Sequence, residues 1–197
     1  MSDVTILLIG TFDTKDEELS YIGERIRAQG AAVINMDVSV LGEPAKPCEI
    51  SKHQVAEAAN SSIEEAIASA DENHAMQIMA RGASTLAAKQ HAENNIDGAI
   101  ILGGTMGTDL ALDVCQALPL GVPKYVVSTV SFSPLIPADR LAPDIQMILW
   151  AGGLYGLNSV CKSSLSQAAG AVVGAARAVE PPVSCLLYTS PSPRDRG

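Results

Sequence analysis

The chain has 197 residues, of which 47% are hydrophobic and only 4% aromatic, and its formal net charge at pH 7 is −9. This apolar fraction is typical of a globular domain with a buried core and excludes a disordered chain. The negative charge argues against a protein that binds the backbone of nucleic acids, and the scarcity of aromatic residues argues against stacking platforms for single strands. A small anionic ligand is compatible with this charge, because backbone N–H groups can bind it locally.

The N-terminus lacks the basic region of a signal peptide, and its apolar run ends at Gly10. No stretch reaches the roughly 18 consecutive apolar residues of a membrane span. We therefore predict a cytoplasmic protein with neither a membrane nor a nucleic acid as its partner. The cysteines show neither CxxC spacing nor histidines at metal-ligand spacing, so we expect buried free thiols at Cys48, Cys115, Cys161 and Cys185.

Strand-like and helix-like segments alternate along the first half of the chain. Residues 4–9 form an almost continuous apolar run, which is typical of a parallel strand covered on both faces. A helical pattern over residues 16–29 and a second strand over residues 31–38 follow. The polar segment 51–59, including its lysine, is predicted to be solvated, and one long helix is predicted over residues 63–93.

The second half continues this alternation. A buried strand over residues 98–102 precedes a glycine-rich loop and a helix that runs to about residue 116. Further strands are predicted at residues 124–130 and in the segment DIQMILW, followed by a helix over residues 159–179. This order predicts parallel strands joined by right-handed crossovers, which is an α/β, doubly wound (Rossmann-like) parallel sheet in a three-layer sandwich.

The composition changes at Pro181, where the segment PPVSCLLYTSPSPRDRG begins. This segment is rich in Pro and Ser, has neither helical nor strand periodicity, and resembles translated adapter sequence; an ordinary disordered tail is the alternative. We therefore divide the chain into an α/β subdomain over residues 1–180 and a non-native-looking tail over residues 181–197. A foreign tail would make the chain the N-terminal fragment of a longer protein.

The loop GGTMGTD is the strongest candidate for an anion site. Ligands of doubly wound sheets bind beyond the carboxyl ends of the strands, where this loop is predicted to lie. Its glycines allow backbone N–H groups to approach an anion, and the following helix directs its unpaired N–H groups and its positive dipole end to the same point. A tight turn with a threonine N-cap is the alternative. The candidate residues are Gly103, Gly104, Thr105, Gly107 and Thr108.

The loop GTFDTK is a second, weaker candidate. It lacks the second glycine of a Walker loop and the GxGxxG pattern of dinucleotide folds. The dipole of the following helix favours an anion near Lys15, whereas Asp13 would repel one unless Mg²⁺ intervenes or Asp13 binds hydroxyl groups. The alternative is a helix capped by Asp13 or Thr14, with Lys15 solvated. The candidate residues are Gly10, Thr11, Asp13, Thr14 and Lys15.

Three further positions flank these loops. Asp37 ends the second predicted strand, where nucleotide folds often place a carboxylate on a ribose; a turn aspartate is the alternative. Ser128 and Thr129 contribute either to a ligand site or to an ordinary turn. Arg81 and Gly82 interrupt a helical pattern, which predicts either a kink with a solvated arginine or a helix break that exposes the arginine to an anion. No residue is a convincing general base, and no metal-ligand cluster is recognisable.

Six segments together resemble a known family: IGTFDTKDEEL, DVSVLGEP, DGAIILGGTMGTDLA, PLGVPKYVVSTV, DIQMILWAGGLYGLNSV and QAAGAVVGAA. They resemble the N-terminal part of the ATP-binding family typified by the tomato mosaic virus resistance protein, which has many bacterial homologues of poorly defined function. The resemblance covers residues 4–179. It implies a nucleotide-binding region of two α/β subdomains, of which this chain carries the first. It also implies ATP, with or without Mg²⁺, as the ligand and a homo-oligomer for the full-length protein.

Three functions follow from these observations. The first is a nucleotide (ATP)-binding protein whose two glycine/threonine loops form one site. The second is a non-catalytic regulatory or protein-interaction module, because no base or nucleophile stands out. The third is a dinucleotide-binding, dehydrogenase-like domain, which only Asp37 supports and which the missing GxGxxG pattern disfavours. The residues do not decide whether the protein is an enzyme.

Overall fold

The computed structural model describes residues 4–134, 136–152 and 156–180. Within these residues, five strands form one sheet in which all neighbours are parallel. They are β1 (Thr5–Gly10), β2 (Ala32–Asp37), β3 (Gly98–Gly103), β4 (Lys124–Ser128) and β5 (Ile145–Leu149), and their order in the sheet is β2-β1-β3-β4-β5. The predicted α/β fold with a parallel sheet is confirmed.

Six α-helices in the described part of the chain cover both faces of this sheet: α1 (Asp16–Arg27), α2 (Lys52–Ala58), α3 (Ile63–Ala68), α4 (Glu72–Ala92), α5 (Thr105–Ala117) and α6 (Ser159–Ala178). α1 and α6 pack together on one face, and α2, α4 and α5 pack on the other. The predicted three-layer sandwich is therefore confirmed. Within the described ranges, none of the helices combines the length and the apolar character that a membrane span requires.

The sequence of β1 explains why the sheet is covered on both faces. Ile6 and Leu8 belong to the core shared with α1 and α6, whereas Leu7 and Ile9 belong to the core on the opposite face. Successive side chains of a strand point to opposite faces, so an uninterrupted apolar run suits a strand that is buried on both sides. β1 consequently lies inside the sheet, between β2 and β3.

The long helix that the sequence predicts over residues 63–93 is two helices, so this prediction is wrong. The chain leaves the helical conformation at Ala70, whose φ is 51°, between α3 and α4. Asp71 then caps α4, because its Oδ1 accepts hydrogen bonds from the backbone N–H groups of Asn73 (2.9 Å) and His74 (3.3 Å). Such a side-chain cap satisfies N–H groups that the start of a helix leaves unpaired.

α4 continues through Arg81 and Gly82, so the predicted helix break at this pair is wrong. A Cβ atom on Gly82 would lie 1.8 Å from the carbonyl oxygen of Val55 in α2. The glycine therefore allows two helices to approach closely, which is a contact between distant parts of the sequence. Arg81 lies on the exposed side of the same helix.

Lys52 is 3% exposed, so its predicted solvation is also wrong. Its Nζ donates a hydrogen bond to the carbonyl oxygen of Gly42 (2.7 Å) and pairs with Oε1 of Glu43 (2.6 Å). A buried ammonium group needs such partners, because the loss of its hydration is otherwise uncompensated. These contacts fasten the loop between β2 and α2 to the first residue of α2.

Cys115 and Cys161 are buried free thiols, as predicted, and Cys48 is a half-buried free thiol. Burial raises the pKa of the Cys115 thiol to about 12. Burial, together with nearby carboxylates, raises the pKa of the Cys48 thiol to about 12 as well. Both thiols therefore stay protonated at neutral pH. Cys185 and the predicted tail over residues 181–197 lie outside the described residues, and the division of the chain at residue 180 stays a prediction.

Candidate functional site

The strand order reverses between β1 and β3. The chain leaves β1 towards β2 on one side and later returns to β3 on the other side. The loop after β1 leads into α1 on one face, whereas the loop after β3 leads into α5 on the opposite face. Such a reversal opens a crevice at the carboxyl ends of the strands, where doubly wound proteins bind their ligands. The two predicted loops, residues 10–15 and 103–108, thus leave neighbouring strands at this crevice.

The N-terminus of α5 presents unpaired backbone donors. Gly104 is the N-cap residue and provides no side chain, and the first intrahelical bond runs from the N–H of Thr108 to the carbonyl oxygen of Gly104 (2.8 Å). The N–H groups of Thr105, Met106 and Gly107 have no acceptor within the described ranges. The first turn also contains no carboxylate. This helix end can therefore bind an anion through its N–H groups and its dipole.

Glycine occupies the three positions of this loop for different structural reasons. A Cβ atom on Gly103 would lie 2.4 Å from the carbonyl carbon of Gly107, so Gly103 is required for the close contact between β3 and α5. A Cβ atom on Gly104 would meet no protein atom within 4 Å, and one on Gly107 would make only an ordinary contact at 3.9 Å. Packing therefore explains Gly103 but leaves Gly104 free for the approach of an external group.

Thr108 and Ser128 connect this loop to the end of β4. Thr108 Oγ1 donates to the carbonyl oxygen of Gly104 (2.7 Å) and lies 2.5 Å from Ser128 Oγ. Ser128 Oγ in turn accepts a hydrogen bond from the N–H of Val130 (3.0 Å). Both side chains are buried, so they support the loop from the interior of the domain. The predicted alternative of Thr108 as N-cap is wrong, because Gly104 is the N-cap residue. Thr129 is half-buried, and its N–H donates to Gly103 (3.4 Å).

The loop after β1 is a hydrogen-bonded turn. The N–H groups of Thr14 (3.2 Å) and Lys15 (2.9 Å) donate to the carbonyl oxygen of Thr11, and the hydroxyl oxygens of the two threonines lie 3.0 Å apart. Lys15 is the N-cap residue of α1 and makes no side-chain cap, so the predicted cap by Asp13 or Thr14 is wrong. Gly10 is buried by Leu19, whose methyl groups would lie 2.8 Å from an added Cβ atom.

The N-terminus of α1 is a poorer anion site than that of α5. Its first turn carries three carboxylates, on Asp16, Glu17 and Glu18. These side chains already occupy the favourable positions near the positive end of the helix dipole, and they repel a further anion. The two predicted loops are therefore unequal, and the loop after β3 is electrostatically the more favourable place for an anion.

Two aspartates connect the loop after β1 to the loop after β2. Asp37 is 1% exposed, and its Oδ1 accepts hydrogen bonds from the N–H groups of Phe12 (3.2 Å) and Ser39 (2.9 Å) and from the Ser39 hydroxyl (2.5 Å). Asp13 Oδ2 accepts from the N–H of Gly42 (3.1 Å). These are the hydrogen bonds of turn aspartates, while a contact of Asp37 with ribose stays a prediction. In the described part of the chain, Asp37 Oδ2 and Asp13 Oδ1 are buried without a partner.

Lys15 is held on the α1 side of the crevice by an aromatic ring. Its Nζ lies 5.6 Å from the ring centroid of Trp150, which follows β5 and is buried. A cation over an indole ring is attracted by the ring's negative face. No carboxylate in the described ranges lies within ion-pair distance of Lys15, so its charge stays available to an anion at the crevice.

A cavity of about 200 Å³, the α4–α5 cavity, opens beside the N-terminus of α5. Its walls come from the start of α4, the first two turns of α5 and the segment after β4, and they include Asn73, Met76, Met106, Leu112, Val130 and Ile136. Arg140 fixes one side of this region, because it forms ion pairs with Asp109 and with Asp113 (2.7 Å) on α5. Partial burial raises the pKa of the Asp113 carboxyl group.

A profile described as the N-terminal domain of the uncharacterised protein family UPF0261 matches residues 4–181. The chain belongs to the UPF0261 family.

Several UPF0261 proteins are similar to this chain over most of its length. A UPF0261 protein of Brucella suis is 54% identical over 177 residues, which are 90% of this chain and 42% of that protein. One of Clostridium tetani is 36% identical over 89% of this chain and 43% of its own length. The chain thus spans about two fifths of these relatives.

A plant protein is also similar, which confirms the family resemblance predicted from the six segments. The ToMV susceptible protein tm-1 of Solanum lycopersicum is 27% identical over 187 residues, which are 86% of this chain and 24% of that protein. Its name refers to a virus and to no ligand. The comparisons therefore establish the family, whereas the ligand of this UPF0261 domain has to be argued from its site.

Sequence reasoning on this UPF0261 domain missed the α4–α5 cavity and Trp150. The cavity combines residues near positions 73, 106 and 130, and no local pattern connects these segments. Trp150 follows β5, and this position at the carboxyl edge of the sheet was the sequence feature that could have predicted its place near the site. Chemically, the crevice offers backbone donors and the Lys15 ammonium group, and the described residues contain no cluster of three His, Cys, Asp or Glu residues that could hold a metal ion. The arrangement is suited to binding an anionic group.

Proposed function

We propose that this UPF0261 domain binds a nucleotide, and specifically ATP, as the first part of a two-part nucleotide-binding region. The N-terminus of α5 would bind the phosphates through the N–H groups of Thr105, Met106 and Gly107, which have no acceptor in the described part of the chain. This is the observation that carries the proposal, because unpaired donors at a helix end without a carboxylate form a ready anion site. Their position at the strand-order reversal, where doubly wound folds bind ligands, supports it.

The residues present fit a phosphate group. The open space beside Gly104 lets a ligand approach the backbone, which a side chain at this position would block. Lys15 on the opposite wall would supply the positive charge that the backbone lacks. Mg²⁺ carried by ATP would neutralise part of the phosphate charge. The choice of ATP among phosphorylated ligands rests on the resemblance of the six sequence segments to the ATP-binding family.

The substitution Gly104→Ala tests the phosphate site. It adds one methyl group where no protein atom lies within 4 Å, and Gly104 has a φ of −77° that alanine also adopts. We expect a small loss of stability, about 0.5–1 kcal/mol for alanine in place of glycine at an N-cap, but about a tenfold or greater loss of ATP affinity in titration calorimetry. Gly174→Ala is the matched control, because its Cβ atom also enters open space, but on α6. Equal ATP affinity of the wild type and Gly104→Ala would exclude the phosphate site.

Thermal unfolding provides an independent readout. ATP at 100 times its dissociation constant stabilises the folded state by about 2.7 kcal/mol, whereas NAD at the same concentration should leave the midpoint unchanged. A shift with NAD alone would favour the dinucleotide-binding alternative. The absence of a shift with either ligand, both in this chain and in the full-length Brucella suis relative, would reject nucleotide binding.

A second candidate function is a non-catalytic interaction module in which the nucleotide only stabilises the fold. Three apolar side chains at the carboxyl edge of the sheet favour it, since Phe132 is 77%, Val160 65% and Leu149 56% exposed. Exposed apolar groups at one edge are typical of a surface that contacts another protein part. Hydrolysis of ATP that Gly104→Ala abolishes would exclude this candidate.

A further inference from the structure

We propose that the α4–α5 cavity binds the base of the nucleotide, so that the ligand extends from this cavity across the N-terminus of α5. This inference rests on the proposed function and assigns the base to the cavity and the phosphates to the helix N-terminus. The inference also predicts that the ligand is a nucleotide with a base, and not an inorganic phosphate or a sugar phosphate.

The size of the cavity fits one part of a nucleotide. Pockets that enclose a whole drug-sized ligand measure about 300–1,000 Å³. The α4–α5 cavity measures about 200 Å³ and is open on one side, so it has room for a ring system but not for the complete ligand. The remaining part must lie outside the opening, on the surface of the domain.

The lining suits a flat aromatic group. Met76, Met106, Leu112, Val130 and Ile136 provide apolar contact, and the two methionine side chains can adapt to a ring and make favourable sulfur–aromatic contacts. The carboxylate of Asp109 also lines the cavity, and its ion pair with Arg140 leaves this wall without a free positive charge. A phosphate group would therefore find no charged partner inside the cavity, whereas a base would find contact area.

The cavity is continuous with the proposed phosphate site. Thr105 and Met106 line the cavity and also carry two of the N–H groups without an acceptor in the described residues. A ligand whose phosphates bind these groups has its remaining atoms next to the cavity opening.

Asn73 supplies polar recognition at the rim. It lines the cavity on α4, and within the described ranges its side-chain amide makes no hydrogen bond. An amide group both donates and accepts, which matches the mixed donor and acceptor edge of a nucleobase. The Thr108 hydroxyl is less available for this, because it is already bonded to Gly104 and Ser128.

The rival location lies beyond β2, in a cavity of about 260 Å³ that Asp37, Pro47, Cys48 and Lys52 line. A base there would follow the pattern of dinucleotide folds. Its phosphates would then have to pass the carboxylates at the start of α1, which repel them. Lys52 cannot compensate, because its ammonium group is already bound to Gly42 and Glu43. The charge distribution thus favours the α4–α5 cavity.

The test compares ATP with inorganic tripolyphosphate, which has the phosphates but no base, in calorimetric titrations of the 197-residue chain. Met76→Trp fills the α4–α5 cavity and should weaken ATP binding about tenfold or more while tripolyphosphate binding changes less than about twofold. Pro47→Trp fills the rival cavity and should change neither. Gly104→Ala should weaken both ligands. Asn73→Leu, at an exposed helix position, should selectively lower the affinity for ATP. This variant provides the test if Met76→Trp does not fold.

Each other result contradicts a defined claim. The base does not occupy this cavity if Met76→Trp and Asn73→Leu bind ATP with wild-type affinity. The same conclusion follows if both variants lose affinity for ATP and tripolyphosphate equally. Neither result contradicts the phosphate site. A selective loss of ATP in Pro47→Trp places the base beyond β2 and overturns the inference. If neither ligand binds the chain or the full-length Brucella suis relative, the proposed function fails, and the inference fails with it.

Discussion

The hydroxyl oxygens of Thr108 and Ser128 lie 2.5 Å apart in the interior of the domain. The proton of Thr108 is directed at the carbonyl oxygen of Gly104, so Ser128 is the donor in this pair. This chain of hydrogen bonds connects the ends of β3 and β4 directly beneath the N-terminus of α5. The proposed phosphate site is therefore supported by buried hydrogen-bonded side chains beneath it.

Thr108→Val should destabilise the domain by about 1–3 kcal/mol, because it leaves the buried Ser128 hydroxyl without its acceptor at nearly constant side-chain volume. Urea unfolding measures this loss. The double variant Thr108→Val with Ser128→Ala should lose less than the sum of the single changes, because both partners are then removed. Strict additivity of the two changes would show that the hydroxyl groups do not interact.

Gly103→Ala and Gly104→Ala should differ in stability, although they are adjacent. The Cβ atom of the first would lie 2.4 Å from the backbone of Gly107, and overpacking of this kind costs about 1–3 kcal/mol. The second enters open space and should cost only the preference for glycine over alanine at an N-cap, about 0.5–1 kcal/mol. Chemical denaturation of both variants checks this contrast. Equal stability of the two would mean that β3 and α5 do not approach as closely as described.

The ion pair of Lys124 with Asp144 should be important for stability. Its N–O distance is 2.7 Å, and the lysine side chain is only 1% exposed. Asp144→Ala leaves a buried ammonium group unpaired and should cost about 3–5 kcal/mol. Glu93→Ala is the control, because it removes an exposed pair with Lys89 and should cost less than about 0.5 kcal/mol. Similar losses in both variants would contradict the burial of Lys124.

The same pair predicts a pH dependence. Burial raises the pKa of Asp144, but the hydrogen bonds from Lys124 and from the N–H of Gly121 outweigh it and hold the pKa below the usual 3.8. Stabilisation from a carboxyl group with a lowered pKa is fully present above 3.8 and is lost as the pH falls through the folded-state pKa. Wild-type stability should therefore fall below about pH 4 more steeply than that of Asp144→Ala. Parallel pH profiles of the two proteins would contradict this assignment.

The sheet was predictable from sequence because its strands are short apolar runs that end at glycine- or serine-rich turns. The predicted strand at residues 98–102 matches β3 to within one residue, and Gly103 and Gly104 follow it as expected. Local pattern also located the carboxyl edge and the two loops that leave β1 and β3. These features depend on residues close together in the sequence, so no knowledge of packing was needed.

Contacts between distant segments account for the errors. Gly82 resembles a helix breaker in the sequence, but it allows close contact with Val55 of another helix. Lys52 resembles a solvated residue, but its ammonium group is buried and bonded to the Gly42 carbonyl group. Asp71 caps a helix inside a stretch whose composition favours one continuous helix. The α4–α5 cavity depends on three separate segments at once, which is why periodicity and motif spacing could not predict it.

The side on which α6 packs limits how the sheet can grow. α6 leaves β5 and lies on the same face as α1, whereas α5 connects β3 to β4 across the opposite face. A sixth parallel strand placed outside β5 through α6 would need a left-handed crossover, although about 98% of such crossovers are right-handed. Extension of the sheet by this type of connection is thus disfavoured at this side, and within the described residues the outer edge of β5, whose residues carry no charge, pairs with no further strand.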